Sequence, residues 1–406
     1  KTIVIWNIYS LLTSFLITYT GGMFIWRYVF DLAGDVNQMN LVVDKVHNFE
    51  DCLLINPSWI MSIYCYSIFR LDPYRGCYHS CIYCYTRYMP NYAPDVKVLV
   101  NYPRLFEKFL LKMDGVELPP FRLSALTDPF QPAEEVYKLS YRLLRLCLKY
   151  RRHVIISTKS DLLARSPWID VVKDLADSSL TIVQFTVTLL DDDKASVIEP
   201  NAPPPSLRLK AARLLADERI PVIFRLQPLI PFVNSDDEYL EEYVEEARSS
   251  GVRQIICEPY RFHRWCELAA FRRLIDDYRF KRFASRSFWE RLGRSSHKVP
   301  RTSWRLDRYK LLSELCSRNG LEFSLCREYI PGLNTAVNCC GMHFMKNVVL
   351  RKTIREALGS NPRWAKVLEY KDLEALPKGR FRSKLIEHYK LLDEYLKSLN
   401  VNNGSE

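Results

Sequence analysis

The run Gly76-Cys77-Tyr78-His79-Ser80-Cys81-Ile82-Tyr83-Cys84-Tyr85 places three cysteines at C-x3-C-x2-C spacing. Thiolates are the usual ligands of iron–sulfur clusters. A four-iron cluster held by three clustered thiolates keeps one iron without a protein ligand. That iron can bind and reduce a small molecule, whereas a fourth cysteine would leave an electron carrier only. Three buried structural cysteines are the bland alternative. Zinc is the other, although a zinc site usually brings a second cysteine pair at matching distance.

Around this loop, short apolar runs alternate with amphipathic ones. Strands are predicted at Ser67–Leu71, Phe121–Leu126, His153–Ser157, Thr181–Thr188, Pro221–Leu226 and Val252–Cys257. Helices are predicted between them at Glu134–Tyr150, Pro167–Ala176, Ser206–Asp217 and Asp237–Ser249. Apolar runs of four to eight residues separated by helices signal a parallel sheet with crossovers. The expected fold is α/β, a partial (β/α)6 barrel of TIM type over residues 67–260. An N-terminal extension (1–66) precedes it, and a basic, helical C-terminal region (261–406) follows, including a helix over Phe381–Leu399. In parallel barrels the chemistry gathers at the C-terminal ends of the strands.

Those ends carry polar residues. The second strand runs into Thr127-Asp128-Pro129-Phe130-Gln131-Pro132-Ala133-Glu134, and the third into Ser157-Thr158-Lys159-Ser160. Asp128 can accept hydrogen bonds from an amine, and Lys159 can meet a carboxylate as a point charge. Thr186 and Thr188 share one face of the fourth strand by alternation, as do Arg225 and Gln227 on the fifth. Asp128 and Glu134 also read as ordinary acidic residues at a helix entry.

The cysteine spacing, with Tyr83 as the aromatic before the last cysteine, resembles the radical S-adenosylmethionine (SAM) superfamily. The strand-end segments are similar to its spore photoproduct lyase-related, or DNA repair photolyase-like, group. The matching stretches run from Asp72-Pro73-Tyr74-Arg75-Gly76-Cys77 to about Pro259, with Thr127 through Pro132, Thr158-Lys159-Ser160, Arg165, Glu199-Pro200 and Arg225 through Pro231. The resemblance implies a [4Fe-4S] cluster on Cys77, Cys81 and Cys84, and SAM chelating the fourth iron. It implies an external electron donor such as ferredoxin or flavodoxin. It puts the main chain of Tyr83 near the adenine, and Ser124, Asp128, Lys159, Thr186 and Arg225 around the SAM. Two departures stand out. Ser124 to Asp128 replace the Gly-Gly-Glu segment of other members, and Leu126 stands where the lyase has a hydrogen-donor cysteine. Leucine cannot return a hydrogen atom, so thymine-dimer reversal is not the expected outcome. The rival reading is a non-catalytic iron–sulfur or nucleic-acid-binding protein that retains the fold.

Composition bounds the rest. The 406 residues are 48% hydrophobic and 26% charged, as in a globular protein, and the twelve cysteines do not form a small secreted disulfide framework. A reducing cytoplasm suits an oxygen-sensitive cluster. Residues 2–26 carry no charge and could span a bilayer, so a membrane-anchored form is the alternative. The net charge is +11, and residues 261–310 hold 15 Lys/Arg against five Asp/Glu. Trp265, Phe280, Phe283, Phe288, Trp289 and Trp304 interleave these cations, a pattern that suits nucleic acid or, equally, a solvated face over a core. Cys326, Cys339, Cys340 and His343 are a candidate second metal set, for zinc or an auxiliary cluster. The sequence gives no oligomeric state.

Overall fold

The computed structural model describes residues 2–6, 13–20, 23–32, 35–88, 95–292, 296–328, 330, 332–359 and 361–402, with backbone alone for 2–40, 88 and 400–402. Seven parallel strands form the main sheet: β1 (Arg70–Leu71), β2 (Phe121–Leu123), β3 (Val154–Thr158), β4 (Thr181–Thr186), β5 (Val222–Leu229), β6 (Gln254–Pro259) and β7 (Glu322–Leu325). Each pairs with its neighbours in chain order. The crossovers include α1 (Tyr102–Lys112), α2 (Leu139–Lys149), α3 (Trp168–Asp177), α4 (Pro205–Asp217), α5 (Asp237–Ser249) and α6 (Thr302–Arg318).

The strands are buried on both faces, which is why they read as continuous apolar runs. Alternation divides their side chains. Ile156, Val183, Phe185 and Phe224 pack outward in one core with helix residues such as Leu143, Val172 and Leu215. Ile155, Ile182, Ile223 and Ile256 point into the lumen. There they meet Cys339, Cys340, Met342, Met345, Val348 and Leu350, so a C-terminal segment plugs the barrel floor.

The structure differs from the sequence expectation in four places. A seventh strand, β7, extends the sheet beyond residue 260. The second strand stops at Leu123, because Asp72 Oδ1 accepts the backbone N–H of Ala125 (2.8 Å) and Leu126 (3.0 Å). The helix expected over Glu134–Tyr150 breaks at Lys138, whose φ is 49°. The buried Glu134 carboxylate accepts from the N–H of Ser140 (2.9 Å) and Tyr141 (2.8 Å), capping α2 from within the chain. Finally, the described parts of residues 2–26 lie in strands Thr2–Trp6, Thr13–Thr20 and Met23–Leu32. Asp35–Asp44 continues this antiparallel set and pairs in parallel with Val96–Leu99. No helix among the described residues is long and apolar enough to cross a membrane. The C-terminal helix α7 (Arg380–Asn402) packs on the helix Trp59–Tyr64.

Candidate functional site

The cysteine loop leaves β1 and crosses the mouth formed by the C-terminal ends of β2 to β5. Gly76 (φ 76°) and Ser80 (φ 49°) both take left-handed backbone, which folds the loop tightly. Gln131 clamps its start: Oε1 accepts from Tyr78 N (2.9 Å), and Nε2 donates to Gly76 O (3.2 Å). Asn201 Nδ2 donates to Tyr78 O (3.0 Å), and Ile82 N donates to Ile198 O (2.9 Å). Two segments, Gln131 and residues 198–201, therefore fix one loop through its main chain and leave the cysteine sulfurs to other partners.

Burial pushes the Cys81 thiol up to about 12 and raises Cys77 as well. Thiols in such a pocket stay protonated unless a bound cation takes the proton's place. Among the described residues, no three His, Cys, Asp or Glu side chains stand close enough to share a single metal ion. Cluster ligands bind different irons and stand wider apart. One loop carrying three buried or half-buried thiols fits a polynuclear cluster better than zinc. All twelve cysteines are free of disulfides.

Each residue expected at the SAM seat lies at this mouth, but several already carry structural duties. Ser124 Oγ donates to Asp72 Oδ1 and so joins the ends of β1 and β2. Asp128 is buried and accepts from Thr158 Oγ1 (2.8 Å), Lys159 N (2.7 Å) and Phe130 N (2.9 Å), with His79 Nδ1 at 3.6 Å. It ties β3 to the cysteine loop. Thr186 is buried, and its carbonyl accepts from Arg208 Nη1 at 3.1 Å. Arg225 is half-buried in the lumen and donates from Nε to Gln227 Oε1 at 2.6 Å. Lys159 Nζ lies 5.6 Å from the Tyr83 ring centre and 4.0 Å from Glu199.

Glu199 is the anchor that the sequence did not single out for the site. It is fully buried, pairs with Arg208 at 2.5 Å and accepts from Tyr83 Oη. Tyr83 Oη also meets Thr188 Oγ1 at 3.1 Å. Burial alone would raise the Glu199 carboxyl; Arg208, then Lys159 and Tyr83, outweigh it and hold it at about 2. In the sequence it stood only within the matching Glu199-Pro200 segment, with no role of its own. The expected second metal set is not assembled as written, because His343 Nε2 sits 2.8 Å from Glu322.

The fold and the site define an α/β protein with a parallel sheet that presents three cysteines of one loop at the C-terminal ends of its strands. Residues 71–247 match the model of the Radical SAM superfamily. An uncharacterised protein of Acidianus two-tailed virus is 27% identical over 198 residues, covering 45% of this chain and 64% of that one. One from Methanocaldococcus jannaschii is 30% identical over 178 residues, covering 42% and 63%. The chain spans a little under two thirds of the length of these curated relatives. Among solved structures, a cysteine variant of spore photoproduct lyase superposes with a TM-score of 0.53 at 15% identity, covering 71% of this chain and 82% of that one. A second variant, solved with AdoMet and dinucleoside spore photoproduct bound, gives 0.51 at 15% identity and the same coverage. At this identity the likeness is one of fold.

Proposed function

We propose that the protein is a radical SAM enzyme acting by hydrogen abstraction on a nucleic-acid substrate. The observation that carries the enzyme reading is the loop itself, with three thiols and no fourth cysteine in the loop, fixed at the barrel mouth. When bound, a [4Fe-4S] cluster supplies one electron that splits SAM into methionine and a 5′-deoxyadenosyl radical. An external donor such as ferredoxin or flavodoxin supplies that electron. The chain orients and shelters the reactants. Lys159 and Arg225 offer positive charge toward the SAM carboxylate. Ser124 and the remaining lone pairs of Asp128 would hold its amine, Thr186 would line the same mouth, and the Tyr83 main chain would receive the adenine.

The 261–310 region supports the substrate class through its cations. Phe283, Phe288 and Trp289 are buried, and Trp265, Phe280 and Trp304 pack against them. Those rings form a core and do not offer a stacking face. Tyr278 is 84% exposed, beside the exposed Lys281 and Arg282 on the helix Asp277–Phe283. A solvent-facing ring flanked by cations suits an unpaired base and its phosphates.

The test is SAM turnover with perdeuterated single-stranded oligonucleotides, following deuterium into 5′-deoxyadenosine. Deuterium transfer that falls markedly in Tyr278→Ala is expected. Turnover with no deuterium transfer from any oligonucleotide contradicts the substrate class while leaving SAM cleavage intact.

A further inference from the structure

The end of the barrel opposite the mouth holds a cavity of about 380 Å³. Its walls are the segments that lead into β2, β3 and β4, and the plug closes it with Lys346 and Asn347. A volume of this size suits a small-molecule ligand.

The lining is cationic. Arg151, Arg152 and Lys346 stand against one carboxylate, Glu117, which is already paired with Lys366 at 2.5 Å. Asp114, whose charge reaches Arg152, lies outside the lining. Arg152 is half-buried and fixed: Nη1 donates to Val116 O (2.6 Å) and Nη2 to Met113 O (2.7 Å), while its buried Nε finds no acceptor. Arg151 and Lys346 are exposed, and among the described residues their side chains make no hydrogen bond or ion pair. The hydroxyls of Ser178 and Ser179, in the same lining, are likewise uncommitted among the described residues.

Some cations are expected at this end, because α2 and α3 finish here and each brings about half a negative charge. Together those ends match roughly one cation. Arg152 already serves the end of α1, and Arg151 and Lys346 bring two charges more. Lys346 belongs to the plug and to no helix. Two uncommitted cations and two hydroxyls around one concave space suit the oxygens of a compact anion.

We propose that this cavity binds a phosphate or diphosphate group carried by a small molecule. Arg151 on the barrel wall and Lys346 on the plug grip the oxygens from two sides, with the serine hydroxyls donating between them. The anion then bridges barrel and plug, which meet here where His153 Nε2 donates to Lys346 O (2.8 Å) and Lys346 N to Ser179 O (3.4 Å). The site is a lock on the plug, and it stands apart from SAM cleavage.

The test titrates the wild-type chain with sodium phosphate and sodium pyrophosphate, with sodium chloride at equal ionic strength as the reference. Both phosphates are expected to raise the thermal unfolding midpoint above the chloride reference and to slow hydrogen exchange on residues 342–350. Arg151→Gln with Lys346→Gln is expected to weaken pyrophosphate binding about tenfold or more. Lys108→Gln with Lys210→Gln removes two exposed lysines elsewhere and is expected to change it less than about twofold. No midpoint shift in the wild type, equal weakening in both variant pairs, or protection that spares the plug overturns the proposal. A single-stranded oligonucleotide that competes for the site and binds more tightly than pyrophosphate overturns it too. Should the Arg151 and Lys346 pair fail to fold, the exchange map of the wild-type chain decides alone.

Discussion

Glu199 and Arg208 form a buried ion pair beneath the cysteine loop, with Tyr83 and Lys159 leaning on the same carboxylate. Breaking such a pair leaves one charge buried and unpaired, at a cost of about 3–5 kcal/mol. Glu199→Gln is expected to lower the denaturant midpoint strongly and to loosen Tyr83, seen as a perturbed cluster EPR signal. Glu199→Gln with Arg208→Met should recover part of the stability, because both charges leave together. The pH dependence follows from the same pair. Glu199 is held at about 2 against an ordinary 4.5, so its contribution is full above about pH 4.5 and fades as pH falls toward 2. An acid-unfolding curve in which Glu199→Gln loses that segment of the slope checks this. The three loop cysteines were legible from spacing alone. Glu199 was not assigned to the site, because its partner lies nine residues on, where an arginine on a helix reads as a solvated residue. Asp128 and Gln131 were legible as a polar rim, but their hydrogen-bond partners come from other strands and leave no local pattern.

At the scale of elements, six of the seven strands announced themselves as apolar runs, since parallel strands covered on both faces need them. β7 escaped notice because it is four residues long and follows a long insertion after β6. The plug escaped for a different reason. Its apolar residues are not periodic, and its place is set by the isoleucines it meets inside the lumen. Gly341 marks the tightest point of that fit. It takes φ +75°, and a Cβ there would fall 2.1 Å from Ile223 Cδ1 and 3.1 Å from Gln254 Oε1. Left-handed backbone costs a residue with a Cβ roughly 1–2 kcal/mol, and the clash adds to it. Gly341→Ala is therefore expected to destabilise by more than that backbone cost alone, measured by chemical unfolding. Faster hydrogen exchange on residues 338–345 would locate the damage in the plug.

The whole molecule joins what composition kept apart. Residue 261 looked like a boundary because charge rises there. The chain instead returns through α6 and β7 to extend the sheet, and residues 339–350 re-enter the lumen. The basic–aromatic stretch shows the same limit of composition. Spacing along the sequence could not tell rings that stack on a partner from rings that pack on each other, and burial makes most of them core. The central claim concerns the loop at the mouth, and reductive cleavage of SAM tests it most directly. The anaerobically reconstituted wild-type protein, given SAM and dithionite, is expected to release 5′-deoxyadenosine and methionine in equal amounts, while Cys84→Ser releases neither. A wild-type protein with its mouth cluster verified spectroscopically and no 5′-deoxyadenosine formed would contradict the account.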